Sequence, residues 1–309
     1  MKAIELNNIT KTYTVKNSII KAVDDISFSV DEGELFGLIG PDGSGKTSIF
    51  RILTTVLLAD KGNANVMGFD VVKDYKKIRS IAGYMPGRFS LYQDLTVEEN
   101  LNFFATIFNT TIQENYELVA DIYNQLEPFK TRRAGKLSGG MKQKLALSCS
   151  LIHKPKVLFL DEPTTGVDPV SRKEFWDMLI RLKKQGISIL ISTPYMDEAN
   201  LCDRIGLIQS GKILEIDKPQ NIVNRFDKKL FAVSADDMFS LLKDLRSFDQ
   251  TESCFAFGSK HHLVLKEDNL NVEVLKSYLA KHKNLTITQI KPGIEDRFMR
   301  LMKTQSYAN

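Results

Sequence analysis

Gly40-Pro41-Asp42-Gly43-Ser44-Gly45-Lys46-Thr47 fits G-x-x-x-x-G-K-[ST]. It stands between an apolar run, Glu34 to Ile39, and a stretch from Lys46 to Leu58 whose apolar residues recur at helical spacing. This pattern suits phosphate. Glycines let the backbone curl until successive N–H groups point inward, and the following helix adds its positive N-terminal end. Lys46 supplies a point charge for the β- and γ-phosphates of a nucleotide such as ATP, and the Thr47 hydroxyl is a ligand for Mg²⁺. A glycine-rich turn that merely carries a lysine would use the same letters; the strand before it and the helix after it favour the phosphate reading. By itself the loop implies a nucleotide-binding fold and nothing narrower.

A second chemical element is Val157-Leu158-Phe159-Leu160-Asp161-Glu162, an apolar strand that ends in two acids. Asp161 at the strand's carboxyl end suits a Mg²⁺ shell, and Glu162 suits a general base that polarises an attacking water. Paired acids also begin many ordinary loops, so this reading depends on the phosphate loop. About twenty residues earlier lies Leu137-Ser138-Gly139-Gly140-Met141-Lys142-Gln143. There Ser138 reads as a helix N-cap, and two glycines leave the backbone open to an anion at the helix start.

The ordered set resembles the ABC ATPases, over roughly residues 1 to 220. The 137–143 segment resembles that family's signature sequence, Tyr13 stands where an aromatic stacks on adenine, and Thr165-Gly166-Val167-Asp168 resembles the loop that crosses to the partner subunit. The resemblance implies that ATP meets Tyr13, Gly40, Asp42, Gly43, Ser44, Gly45, Lys46, Thr47 and Ser48, together with Ser138, Gly139, Gly140 and Asp168. Catalysis would fall to Glu162, Lys46 and Asp161, and the metal to Thr47 and Asp161. In this family Ser138 and its glycines grip the γ-phosphate held by the other subunit's loop, so two chains sandwich two ATP molecules in an isologous pair.

Two positions depart from the family. Tyr84-Met85-Pro86 should precede a glutamine and precedes Gly87 and Arg88; Ile191-Ser192-Thr193 should precede a histidine and precedes Pro194. Glycine offers no ligand, and proline neither a side-chain donor nor an N–H. Three outcomes stay open: reduced hydrolysis resting on Glu162, pairing with a different ATPase chain that carries intact sensors, or nucleotide binding used as a switch with little turnover. The stretch Phe89 to Asn100 resembles the part of ABC ATPases that takes a coupling helix from a permease. It also reads as a plain helix entry, with Thr96 as N-cap and Glu99 completing a capping box. The 161–169 and 195–199 segments resemble the drug-resistance and ABC-2 exporter branch. The implied partners are a permease of ABC-2 type and a second ATPase chain, identical or not, and the implied place is cytoplasmic, on the inner face of the cell membrane. A non-transport soluble ABC ATPase is the competing class; the two cassettes, long coiled coils or zinc sites usual there are not seen in these residues.

The elements that must position these groups read as apolar strands alternating with helices, and so as a mostly parallel, doubly covered sheet. The expected fold class is α/β: a P-loop ABC ATPase domain over 1–220, with antiparallel N-terminal strands and a helical subdomain at about 90–155. The N-terminal strands are expected as short pieces, Ala3 to Leu6, Tyr13 to Val15, Ala22-Val23 and Ile26 to Val30. Helix is expected over much of Val97 to Lys183, interrupted at Pro128, Gly135 and the Gly139-Gly140 pair. Past Pro219 the order strand, helix, strand, strand, helix, strand predicts a small ferredoxin-like α+β domain over 228–309, closed by a helix from Ile294 to Met302. Packing against a neighbour, such as its twin, suits that domain better than ligand sensing.

The bulk composition agrees. The 309 residues are 43% hydrophobic and 26% charged, ordinary for a globular protein. A net charge of +4 does not call for nucleic acid. Cys149, Cys202 and Cys254 are scattered and odd in number, which predicts neither disulfides nor zinc and suits a reducing compartment. No signal peptide or membrane span is expected, since apolar stretches fall short of about 20 residues.

Overall fold

The computed structural model describes residues 1–16, 18–267 and 272–306. The chain forms two compact units, Met1–Pro219 and Gln220–Asn309. The first begins with two long strands, β1 (Lys2–Val15) and β2 (Ser18–Asp31), paired antiparallel. The four short N-terminal strands expected from the sequence are therefore two. Shifts in register, between Leu6 and Ile9 and again between Ile9 and Lys11, absorb the interruptions in alternation without ending the strand.

β3 (Leu35–Ile39) leads into α1 (Lys46–Leu53). The helix stops five residues short of the expected Leu58, because Thr55 takes a positive φ of 63°. β4 (Lys61–Val66) and β5 (Phe69–Asp70) complete a four-stranded sheet in the order β2-β1-β4-β5. Lys61-Gly62-Asn63-Ala64-Asn65 has little strand character of its own; its pairing with β1 makes it a strand.

After α2 (Tyr75–Ile81) comes β6 (Ala82–Met85), and then the helices α3 (Val97–Ile107), α4 (Tyr116–Leu126) and α5 (Gly139–Leu151). Gly139 and Gly140 open α5 rather than break a helix, because Ser138 caps it: its Oγ accepts the Met141 amide at 3.3 Å. The capping box expected at α3 is present, with Thr96 Oγ1 accepting the Glu99 amide and Glu99 Oε2 accepting the Thr96 amide. β7 (Val157–Asp161), α6 (Pro169–Lys184), β8 (Ser188–Thr193), β9 (Arg204–Gln209) and β10 (Lys212–Asp217) follow.

The second sheet runs β10-β9-β3-β8-β7-β6, parallel throughout except for the β9–β10 hairpin. Every residue of β3, β7 and β8 is buried, which explains their apolar centres; the polar Asp161, Ser188, Ser192 and Thr193 fall at strand ends. Phe28 stacks on Phe36 across the two sheets at 5.3 Å, and Phe50 of α1 meets Phe159 of β7 edge-on at 6.4 Å. The last contact fixes the helix after the phosphate loop against the strand that bears the acids.

The short helix α7 (Pro219–Asn224) bridges the boundary. In the second unit β11 (Leu230–Ser234), α8 (Met238–Ser247), β12 (Thr251–Phe257), β13 (Lys260–Leu265), α9 (Val272–Tyr278) and β14 (Thr286–Ile290) give an antiparallel sheet ordered β12-β13-β11-β14, followed by α10 (Ile294–Ser306). That order is the split βαβ arrangement. Leu241, Leu245, Leu275 and Leu279 of its two crossover segments pack on Phe231, Val233, Leu263 and Leu265. The expected domain bound at 309 lies outside the described residues. All three cysteines are buried thiols. Among the described residues no helix is long and apolar enough to cross a membrane.

Candidate functional site

Strand register brings the chemistry to one edge. Ile39 pairs with Thr193, Asp161 with Ser192, and Met85 with Leu160, so four parallel strands end together and their loops open on the same side. The loop 40–47 leaves β3 there. Gly45 sits at φ +108°, and a Cβ at that position would lie 2.1 Å from the Ala22 carbonyl; only glycine fits. Ser44 Oγ is buried and, among the described residues, has no hydrogen-bond partner, so the cradle retains an unsatisfied polar group of the kind an anion accepts from.

Lys46 is 3% exposed, a burial that a lysine tolerates only when paired. Its Nζ donates to the carbonyls of Gly40 at 2.8 Å and Pro41 at 2.9 Å, and meets Glu162 Oε1 at 3.0 Å. Glu162 holds a left-handed φ of 51°, a conformation that costs a non-glycine residue on the order of 1 kcal/mol. Ser192 secures it: the Glu162 amide donates to the Ser192 carbonyl at 3.1 Å and to Ser192 Oγ at 3.0 Å, and Ser192 Oγ donates to Asp161 Oδ1 at 2.6 Å. One serine thus holds the Asp161 carboxylate and the Glu162 backbone, leaving Asp161 Oδ2 free of that bond. Tyr84 lies nearby; burial and the Asp161 charge push its phenol up to about 12, so it stays neutral at physiological pH.

Tyr13 reaches the same region, with its hydroxyl 3.2 Å from Ser48 Oγ at the start of α1 and Lys11 5.8 Å from its ring centre. Asp42 and Gly43 are exposed at the loop's tip. Gly87 follows β6, and a Cβ built there would stand 3.0 Å from the Asp161 carbonyl and 3.8 Å from Asp161 Oδ2. The position therefore borders the acid pair, although glycine presents nothing to it.

Ser138, Gly139 and Gly140 lie elsewhere. A Cβ on Gly140 would meet Ser171 Oγ at 2.6 Å, and one on Gly139 would touch the Gly166 carbonyl at 3.6 Å. Asp168 caps α6 by accepting the Ser171 amide at 3.0 Å, and the Ser171 bonds hold its carboxyl below the usual range. Among the described residues no hydrogen bond or ion pair joins 138–140 to the loop 40–47.

Several residues not singled out from the sequence shape these loops. Ser192, Thr193 and Glu198 hold the strand ends; Ser192-Thr193 closes an apolar strand with two hydroxyls, a signal open to reading. Asn100 is fully buried and its side chain bonds Tyr92, Leu95 and Thr96 backbone groups, setting the path of the 92–96 turn. Ser90 and Leu91, just before that turn, help line a cavity of about 370 Å³ together with Tyr84, Met85, Pro86, Phe104, Ile107, Phe108 and His153 among others. His153 stacks on Phe108 at 3.8 Å, and burial lowers its pKa.

Comparison with known proteins agrees with this geometry. A sequence model of the family described as ABC transporter matches residues 23–165. The chain is 36% identical over 303 residues to the probable multidrug ABC transporter ATP-binding protein YbhF of Escherichia coli (strain K12), covering 97% of this chain and 52% of that protein. The chain thus spans about half the length of that relative. It is 31% identical over 311 residues to the linearmycin resistance ATP-binding protein LnrL of Bacillus subtilis (strain 168), covering 96% of this chain and 97% of that one. Among solved structures, an ATP-binding subunit of an ABC transporter superposes with a TM-score of 0.65 at 25% identity, over 72% of this chain and 93% of that one.

Proposed function

This chain belongs to the family of ABC transporter ATP-binding proteins, and from that premise we propose that it binds and hydrolyses ATP to drive a membrane exporter. One observation carries the proposal: Lys46 of the phosphate loop and Glu162 of the acid pair meet at 3.0 Å, with Ser192 holding the Asp161 carboxylate and the Glu162 backbone. A γ-phosphate on Lys46 competes with Glu162 for the ammonium and turns the carboxylate toward water, where it acts as general base. Thr47 and Asp161 are hard oxygen donors that suit Mg²⁺, with Asp161 Oδ2 available once Oδ1 is held by Ser192. When bound, the ion supplies charge neutralisation at the β- and γ-phosphates. Tyr13 is proposed to stack on the adenine.

The separation of the Ser138 half-site from the phosphate loop supports a two-chain sandwich, in which Ser138, Gly139, Gly140 and Asp168 of one chain complete the site of another. The second chain is a copy of this one or a related ATPase. We assign 1–220 to this ATP-binding domain, with its helical subdomain at about 90–155, and 228–309 to an accessory domain. The relatives' printed roles in multidrug and linearmycin resistance support an exporter, held at the inner membrane face by a permease of ABC-2 type.

The cavity lined in part by Pro86, Ser90 and Leu91 is the proposed seat for a permease helix: its walls are largely aromatic and aliphatic, and it includes Met85, which pairs with Leu160 just before the acid pair. Ile107 is half-exposed on that wall. Ile107→Glu is expected to abolish co-purification with the membrane partner while leaving ATP affinity unchanged. Retained co-purification would remove the cavity from the interface, and a chain that never co-purifies with membrane protein would point to a soluble role.

Gly87 and Pro194 favour a second reading, in which turnover is slow and nucleotide occupancy is the signal. Gly87→Gln combined with Pro194→His is expected to raise kcat by up to about tenfold, the worth of one good hydrogen bond made only in the transition state. A new Cβ at 87 requires the Asp161 backbone to give by a few tenths of an ångström. Steady-state ATPase measurement decides: no gain would mean that neighbouring groups already supply both contacts.

A further inference from the structure

Glu198 is 2% exposed, follows β8 by five residues, and accepts two hydroxyl bonds on one oxygen. Thr193 Oγ1 donates to its Oε2 at 2.5 Å and Thr164 Oγ1 at 3.1 Å. Thr164 lies two residues past Glu162. Thr193 ends β8, its carbonyl accepts the amide of Gly40 at 3.3 Å, and its hydroxyl accepts the amide of Tyr195 at 3.0 Å. One buried carboxylate therefore ties the loop after the acid pair to the strand end that holds the first glycine of the phosphate loop.

Its other oxygen faces α6. Arg172 Nε stands 3.8 Å from Glu198 Oε1, beyond hydrogen-bond reach, and both atoms are buried without a hydrogen-bond partner among the described residues. The Arg172 guanidinium lies over the Tyr195 ring at 4.3 Å and reaches Asp197 at 3.6 Å. Arg172 is four residues past Asp168, one turn along the same helix face. This ion pair, too long for a hydrogen bond, links the helix begun by Asp168 to the residues beside Glu162.

We infer that Glu198 is a positioning residue for hydrolysis: it sets Thr193 and Thr164 in place and carries the position of α6 to them, in the very segment where Pro194 supplies no side-chain contact. This rests on the proposed hydrolytic role of Glu162. Charge is not needed for the two threonine bonds, since an amide oxygen accepts as well; it is needed for Arg172.

The full-length chain, as it pairs, carries the test in steady-state ATPase assays. Thr193→Val and Glu198→Ala are each expected to lower kcat by about ten- to a hundredfold, the scale of a misplaced reacting group, with the KM for ATP changed less than about threefold. Thr193→Ser, which keeps the hydroxyl, is expected to restore the rate, and Glu198→Gln to fall between wild type and Glu198→Ala. Wild-type kcat in Thr193→Val, or a Thr193→Ser variant as slow as Thr193→Val, would overturn the inference, as would a KM that rises in step with the fall in kcat. Hydrogen exchange without nucleotide reads the same bonds independently of turnover: the Gly40 and Tyr195 amides are expected to exchange faster in Glu198→Ala. If Glu162→Gln hydrolyses at the wild-type rate, the catalytic reading itself fails, and unchanged exchange at those two amides then overturns the positioning role as well.

Discussion

Glu162→Gln is expected to lower ATP turnover by roughly a hundredfold or more, the usual contribution of a general base, while leaving ATP affinity close to wild type. Glutamine keeps an oxygen that accepts from Lys46 Nζ, so the bridge now seen at 3.0 Å survives as a neutral-acceptor hydrogen bond. The backbone of residue 162 is held by Ser192 rather than by its own side chain, so its left-handed φ persists. Turnover disappears while assembly remains, and the chain should accumulate as an ATP-bound pair visible by size-exclusion chromatography. A variant that turns over at the wild-type rate would show that Glu162 is not the base.

Lys46→Ala should act on the other side of that bridge. A charge-assisted hydrogen bond to phosphate is worth about 1.5–3 kcal/mol, so ATP affinity should fall by roughly ten- to a hundredfold. Removal also strips three partners at once: the Gly40 and Pro41 carbonyls lose their buried donor, and Glu162 loses its cation. The loop then lacks the tie that holds its entrance closed, and hydrolysis should be undetectable even at saturating ATP. Calorimetric titration with ATP separates this variant from Glu162→Gln, which binds and does not turn over. Wild-type affinity in Lys46→Ala would dismiss the loop as the phosphate site.

The two variants part because the residues sit on different links of the same chain of cause. Lys46 acts in the ground state and on the charge that develops at the phosphates, Glu162 only as the water attacks; the first therefore moves both affinity and rate and the second moves rate alone. The proposed effect of Gly87 and Pro194 falls on that second link, so turnover is the quantity in which the double variant is expected to differ.

Much of this was legible in the order of residues. The phosphate loop, the acids at the end of an apolar strand and the capped double glycine are local patterns, each complete within about eight residues, and local patterns survive without knowledge of the fold. The same holds for the Thr96 capping box and for the alternation of strands and helices in both units. The strand 61–66 escaped because a partner, rather than its own composition, makes it a strand. Tertiary structure alone decided what joins the patterns. Ser192 reaches Asp161 and Glu162 only because β7 and β8 lie side by side in a single register, and Glu198 reaches Thr164 across 34 residues of chain. The glycines after Ser138 owe their place to the same cause: Gly140 packs on Ser171 of α6 and Gly139 lies by the Gly166 carbonyl, contacts that no local pattern states. A motif states which groups are present; distance between them is set by strand pairing and helix packing, whose partners lie far apart along the chain.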